Sequence, residues 1–261
     1  QLALMRGVLR LLAVEGATLQ AGDLQARISL LKNKLIGAEA YLEKASDDTE
    51  ELVGRAFGRY EEELARSRSV DFDDLLLRTV QLLRKKDGPL AHFRERFRYV
   101  LVDEYQDTNA PQYEIVRAIA GGHRNLCVVG DDDQSIYGWR GADVTRILHF
   151  EKDFPGAKVV RLETNYRSTE PILRAANRVI ANNADRHDKA LRSAIGAGDP
   201  LQLTVADGEH EEAEHVARDI ANLVSLGAAP HGDFAVLFRT GPQARAYEEA
   251  FRARTIPYVL I

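Results

Sequence analysis

A single cysteine, Cys127, is all the thiol chemistry this sequence holds. One sulfur cannot make an internal disulfide framework, and such sparing use suits a reducing cytoplasm. No apolar run approaches the roughly 20 residues of a membrane span. Positive charge is short as well: 35 Lys and Arg stand against 40 Asp and Glu, a formal charge of −5. No overall basic field draws the chain to nucleic acid, so any such contact has to come from a local patch. Finally, none of the 19 glycines is followed by lysine. The loop G-x-x-x-x-G-K-[ST], whose lysine neutralises the β- and γ-phosphates of a nucleotide, is therefore missing from these residues.

What is present is ordinary for a globular protein: 261 residues, 45% hydrophobic and 29% charged, enough for one or two domains with a large core. The sequence opens on Gln1, has Met5 as its only methionine and closes on the apolar "YVLI". These ends lead us to expect a piece of a longer protein.

Two hydrophobic periods divide the chain. Residues 1–68 read as helical throughout, and Val53, Phe57, Tyr60 and Leu64 recur on one helical face. "SVDFDD" supplies capping acids before a second helix with Leu76, Val80 and Leu83 on its face, and "KKDGP" (residues 85–89) ends it. From Phe97 onward, short apolar runs alternate with helical stretches: "YVLV", "NLCVVG", "AKVVRL", "LQLTV", "FAVLF" and "YVLI". That alternation predicts an α/β architecture with mainly parallel strands buried on both faces. Cys127, inside one such run, is expected in the core. "DFPGAK" (153–158) is the expected linker, and "SAIGAGDP" (193–200) a longer loop. Ala213, Val216, Ala217, Ile220, Leu223 and Val224 form a further helix face, with Gly227 as its C-cap.

Three of the apolar runs open into loops rich in chemistry. "YVLVDEYQDTN" (99–109) sets Asp103 and Glu104 side by side at a strand end with no base adjoining. Ligands of open α/β sheets bind at that end of the strands. One acid there would hold a metal and the next would take a proton from water, the two roles that nucleoside triphosphate hydrolysis needs. The plainer alternative is that both acids cap the following helix or face solvent. "DDDQSIYGWRGA" (131–142) carries Trp139, the only tryptophan, beside Arg140. An indole and a guanidinium both stack on nucleobases, although a core tryptophan beside an exposed arginine has the same spelling. "LETNYRSTEPI" (162–172) places Tyr166 and Arg167 ahead of a helix opened by Thr169 and Pro171. The planar fork of Arg167 suits phosphate oxygens, and alone the segment reads as a surface turn. The arginines between 161 and 192 (161, 167, 174, 178, 186 and 192) form the most basic stretch, suited equally to phosphate contact and to a solvated helix face. His210 and His215 have no partners in the sequence for a metal site.

Taken in series, these loops resemble the motifs of the UvrD/Rep/PcrA-like helicases of superfamily 1. "VLVDEYQDTN" is similar to their Walker B element, "VGDDDQSIYGWRGA" to their third motif, "LETNYRS" to their fourth, and "VDFDDLL" (70–76) to the segment before the Walker B strand. The resemblance implies RecA-like, P-loop NTPase-type parallel sheets with an all-helical insertion. On that pattern residues 1–68 are the helical insertion, 69–155 part of the first RecA-like domain, and 156–261 the start of the second. It implies an ATP-dependent DNA helicase or translocase acting in repair or replication, with ATP and Mg²⁺ as cofactors. Single-stranded DNA and single-strand/duplex junctions would be its partners, beside repair or replication proteins.

By the same resemblance Asp103 binds Mg²⁺, Glu104 activates the attacking water, and Gln106 links the nucleotide and DNA sites. Gln134 senses the γ-phosphate. Tyr137, Trp139 and Arg140 meet single-stranded DNA, Tyr166 stacks on adenine, and Arg167 reaches the γ-phosphate. Without the phosphate loop, these residues alone are expected to be inactive. A non-catalytic scaffold derived from a helicase, binding DNA or a protein, and the helicase part of a helicase–nuclease are the alternatives.

Overall fold

In the first third of the chain, charged residues flank apolar positions at helical spacing, and helices form there. α1 (Leu2–Leu11), α2 (Ala21–Asn33), α3 (Ala38–Leu42) and α4 (Asp48–Arg66) follow one another. α4 starts where the Asp47 carboxylate accepts the Glu50 amide at 2.8 Å, and three acids in its first turn complement the helix dipole. Val53, Phe57, Tyr60 and Leu64 are all buried, as their spacing predicts, against Met5 and Val8 of α1 and Leu24 and Ile28 of α2. The expectation of unbroken helix is corrected by turns at 34–37 and 43–47, where Leu35 takes a left-handed φ of 60°. The computed structural model describes residues 1–12, 19–85 and 88–261, so the helical expectation for 13–18 lies outside the described residues.

α5 (Phe72–Arg84) opens with a reciprocal cap: the Asp74 amide donates to Asp71 at 2.7 Å and the Asp71 amide to Asp74 at 3.4 Å. Val80 and Leu83 are buried and Leu76 half-buried. The helix ends at Arg84, just before "KKDGP", of which Lys86 and Asp87 lie outside the described residues. Both capping acids are also ion-paired. Lys32, 0% exposed at the end of α2, donates to Asp71 at 2.8 Å and to Asp74 at 2.9 Å. Its ammonium lies 5.4 Å from the Tyr60 ring centroid, and the Tyr60 hydroxyl donates to Asp71 at 3.1 Å. Burial would lower the Lys32 pKa, but the two aspartates outweigh it and hold it raised.

After α6 (Leu90–Arg96) the strands begin. β1 (Val100–Val102) and β2 (Leu126–Val128), joined through α7 (Ala110–Ala120), pair in parallel with Leu101 opposite Cys127. The protein is thus α/β with a small parallel sheet. Burial on both faces is corrected: Val100 and Val102 are half-buried, whereas Leu101 is 78% exposed and Cys127 is exposed too. Alternate residues of a strand point to opposite faces, and in this two-stranded sheet only one face is covered. α8 (Thr145–Leu148) and α9 (Phe150–Asp153) follow, and Phe150 packs edge-on against buried Tyr105.

The chain divides into two units, residues 1–165 with 175–192 and residues 166–174 with 193–261. α10 (Glu170–Ile180) begins in the second and ends in the first. The second unit has its own core, made by α11 (Glu209–Ser225) and α12 (Ala244–Ala253) through Ala213, Ala217, Ile220, Ala250 and Phe251. Leu223, expected on the packed face of α11, is exposed. Gly227 closes that helix at φ 68°, and the Ala228 amide returns to the Leu223 carbonyl at 2.9 Å.

The runs at 158–162, 201–205, 234–238 and 258–261 form no strand, which corrects the expectation of strands at those positions. Phe234, Val236 and Tyr258 pack on the core while Leu237 is 94% exposed, so the alternation of a strand is present without a partner. Among the described residues no helix is long and apolar enough to cross a membrane.

Candidate functional site

The site is built where the two paired strands stop. Asp103 and Glu104 follow β1 directly, both exposed, and the Glu104 amide donates to the Asp103 carboxylate at 2.9 Å. Glu104 sits in left-handed backbone at φ 50°, a conformation that costs a non-glycine residue energy and turns the chain sharply into the Tyr105–Asp107 turn, where Tyr105 and Gln106 are buried. Among the described residues neither acid takes part in an ion pair.

Asn109 then caps α7: its carboxamide oxygen accepts the Gln112 amide at 3.0 Å, and Gln112 returns the bond. The other end of that carboxamide donates to Asn33 at 2.6 Å, which ties the loop to α2. Asn33 also donates to Asp73 at 3.0 Å, and a methyl group on Gly141 (φ 83°) would lie 2.8 Å from its Cβ. One α2 residue thus braces the loop after β1 and the loop after β2.

Gln106, buried, joins the two loops more directly. Its amide donates to Glu104 at 2.7 Å, and its carbonyl oxygen accepts the Asp131 amide at 3.0 Å. Asp131 in turn accepts the Gln134 carboxamide at 2.7 Å. A continuous path therefore runs from Glu104 through Gln106 and Asp131 to Gln134. Gly130 is the close-approach point on it: a methyl there would meet Gln106 Oε1 at 2.6 Å and Ile147 at 2.8 Å.

Farther along the same loop, Arg140 stacks between rings, 4.5 Å from the Trp139 centroid and 5.1 Å from that of Tyr137. Trp139 is 69% exposed, so the core-tryptophan alternative does not hold. Tyr166, exposed, and Arg167 belong to the second unit, while Asp103, Glu104, Gln106 and Gln134 belong to the first.

Several participants were missed in the sequence. The acids at 131–133 are held by a basic segment some 50 residues downstream, in the first unit: Lys189 donates to Asp131 at 2.5 Å and Asp132 at 2.7 Å, and Arg186 makes a two-pronged contact with Asp133 at 2.8 Å. Arg186 is thus engaged by a carboxylate, whereas the sequence left it open between phosphate contact and a solvated helix face. Burial would raise the Asp131 and Asp132 carboxyls, but hydrogen bonds from Lys189, with help from Gln134 and the His187 amide respectively, hold both below the usual carboxylate range. The signal was three adjacent acids, which demand nearby cations if half-buried. Asp107 is the opposite case: its Oδ1 is buried without a partner, and burial and then Glu104 push its carboxyl up.

Comparison with known proteins bears on this arrangement. Residues 2–155 match the family model of the UvrD/REP helicase N-terminal domain. The chain belongs to the UvrD/REP helicase family. Residues 160–261 match the UvrD-like helicase C-terminal domain. The chain is 44% identical to proteins named ATP-dependent DNA helicase PcrA from Staphylococcus epidermidis and Staphylococcus aureus, over 90% of its own length and 32% of theirs. It therefore spans about a third of the curated relatives it matches.

The donor set of this helicase-family site suits Mg²⁺. A small, hard cation is commonly held by one or two carboxylates with phosphate oxygens and water completing its shell. Asp103 and Glu104 offer exposed carboxylates without competing cations, and no cluster of three or more His, Cys, Asp or Glu able to hold a metal occurs among the described residues.

Proposed function

We propose that this chain is the central part of an ATP-dependent DNA helicase or translocase, coupling hydrolysis to movement on single-stranded DNA and to unwinding at duplex junctions, in repair or replication within the cytoplasm. The observation that carries this reading is the hydrogen-bonded path from Glu104 through Gln106 and Asp131 to Gln134. It supports a site in which the strand-end acids and a γ-phosphate sensor respond together. On this reading the two matched regions are RecA-like, residues 1–68 form an all-helical insertion, 69–155 belong to the first RecA-like domain and 156–261 begin the second, with 153–158 as the linker.

On that reading Asp103 would hold Mg²⁺, which would supply positive charge against the charge developing on the phosphates. Glu104 takes the proton of the attacking water, and its amide contact with Gln106 holds the carboxylate in place. Gln106 reports that state to the loop after β2. Gln134 contacts the γ-phosphate, and Tyr166 stacks on adenine. Arg167 supplies charge to the γ-phosphate. Tyr137, Trp139 and Arg140, stacked and exposed, carry single-stranded bases, where each stacked base is worth roughly 1–3 kcal/mol.

The test uses an intact protein containing this chain and a phosphate-cradling loop. Glu104→Gln should abolish DNA-stimulated ATP hydrolysis and leave ATP binding in place. Arg167→Ala should slow hydrolysis on the order of 10³-fold or more. Full turnover in Glu104→Gln would end the motor reading and leave the scaffold. The 261-residue chain by itself should show no DNA-stimulated ATPase, because it carries no G-x-x-x-x-G-K-[ST] loop.

A further inference from the structure

The function proposed above gives no work to residues 186–189, yet Arg186, His187 and Lys189 all bind the acids at 131–133. We infer that Lys189 is a positioning residue for Gln134, acting through Asp131, and that segment 186–189 is the grip that sets the loop after β2. This inference rests on the reading of Gln134 as the γ-phosphate sensor.

Asp131 is the junction. Its Oδ1 accepts Lys189 at 2.5 Å and the Asp133 amide at 3.1 Å, while its Oδ2 accepts the Gln134 carboxamide at 2.7 Å. Its own amide donates to Gln106 at 3.0 Å. The carboxylate can therefore turn neither way without breaking a bond to Lys189 or to Gln134. Lys189 is fixed in its turn by Asp132 at 2.7 Å, and Asp132 is anchored by the His187 amide at 2.8 Å. Arg186 clamps Asp133 and also donates to the Lys189 carbonyl at 3.0 Å, which folds the segment back on itself.

Removal of Lys189 would leave three adjacent carboxylates with Arg186 as their only full cation in this network. Asp131 would swing toward solvent to escape its neighbours and carry Gln134 with it. The segment lies in the region that matches the C-terminal helicase domain, whereas the gripped loop lies in the region that matches the N-terminal domain. Seven residues after Arg186 the chain enters the second unit at Ser193.

A purely structural staple would lower stability and leave the sensor's orientation alone, so the first test reads orientation. In the ¹⁵N-labelled 261-residue chain, the Gln134 side-chain amide, located by its loss in Gln134→Glu, should be shifted and protected from solvent exchange. Lys189→Met should move it to the free-glutamine position with fast exchange, and Lys189→Arg should restore it. An unchanged Gln134 signal in folded Lys189→Met overturns the inference. Should Lys189→Met fail to fold, Asp132→Asn, which removes one of the two anchors of Lys189, serves the same comparison.

The second test uses the intact protein. Lys189→Met should cut the kcat of DNA-stimulated ATP hydrolysis roughly tenfold to hundredfold, as a small misplacement of a reacting group does, with KM for ATP within about twofold. Lys189→Arg should recover most of the loss. If Glu104→Gln abolishes hydrolysis while Lys189→Met turns over like wild type, the positioning role is wrong and the motor reading stands. If Glu104→Gln leaves hydrolysis intact, the motor reading fails, and the Gln134 signal alone decides whether Lys189 sets this loop.

Discussion

The helical cluster of α1, α2 and α4 and the sheet of β1 and β2 belong to the same unit but are held together on different terms. In the cluster Met5, Val8, Leu24, Val53 and Phe57 are wholly buried by helices close in sequence. In the sheet each strand is three residues long, one face is covered, and Leu101 and Cys127 look outward. A helix satisfies its hydrogen bonds within itself and needs only a neighbour for its apolar stripe. A parallel strand needs other strands for its bonds and layers on both faces for its side chains. Stability in the first unit therefore rests on the cluster, while the candidate site sits on the less supported sheet.

Truncation at matched positions separates the two regions most widely. Phe57→Ala should cost about 3–5 kcal/mol, the range for emptying a well-packed aromatic site, and Leu101→Ala less than about 0.5 kcal/mol. Chemical denaturation followed by circular dichroism measures both. Equal losses would mean that the outer face of the sheet is covered in solution. Lys32→Ala belongs with the large effects. It strands Asp71 and Asp74 in a site where Lys32 is wholly buried, at about 3–5 kcal/mol.

Gly130→Ala is the next largest and probes the sheet end of the comparison. The added methyl presses on Gln106 and Ile147, and overpacking of this kind costs about 1–3 kcal/mol. Because Gln106 is one of the groups displaced, the same substitution in the intact protein should lower hydrolysis as well as the melting temperature.

The same contrast explains what could be read from the sequence. Val53, Phe57, Tyr60 and Leu64 were legible because a helical stripe is a local pattern, and so was the Asp71 cap three residues ahead of Asp74. The strand-end position of Asp103 and Glu104 was legible because the two acids directly follow the apolar run. The runs at 201–205 and 234–238 were misread for the complementary reason: alternation shows which face a strand would use, not whether another strand is there to bond it. Cys127 was misplaced by the same step. Lys189 was not legible at all, since its partners at 131–133 lie more than fifty residues away and only folding brings them together. Asn33, which meets Asn109 and Gly141, escaped for the same reason.

Acid should loosen the loop after β2 before it disturbs the apolar helical cluster. Asp131 and Asp132 are held below their ordinary pKa, so their share of stability is present above the ordinary carboxylate range and is lost as pH falls through the depressed values. Lys189 is raised: burial would lower it, but the two aspartates outweigh that. Its share is present below the ordinary lysine range and is lost as pH rises through the raised value. Arg186, Asp133 and His187 face the same groups. Trp139 emission, reporting from the same loop, should therefore change in acid ahead of the far-ultraviolet signal. Lys189→Met should flatten that early change, and coincident transitions in the wild type would tie the loop to the cluster after all.

The smallest effect on stability is also the most direct probe of the open face. Cys127 stands opposite Leu101 on the exposed side of the sheet. A water-soluble disulfide reagent should therefore titrate one thiol per native chain without denaturant, at a rate near that of the unfolded chain, and shift the melting temperature little. The thiolate is the reacting species and exposure governs access to it. Protection of Cys127 in the native chain, lifted by denaturant, would show that a further layer or a second strand covers this face in solution. The sheet would then be as well supported as the helical cluster, and Leu101→Ala should cost as much as any core truncation.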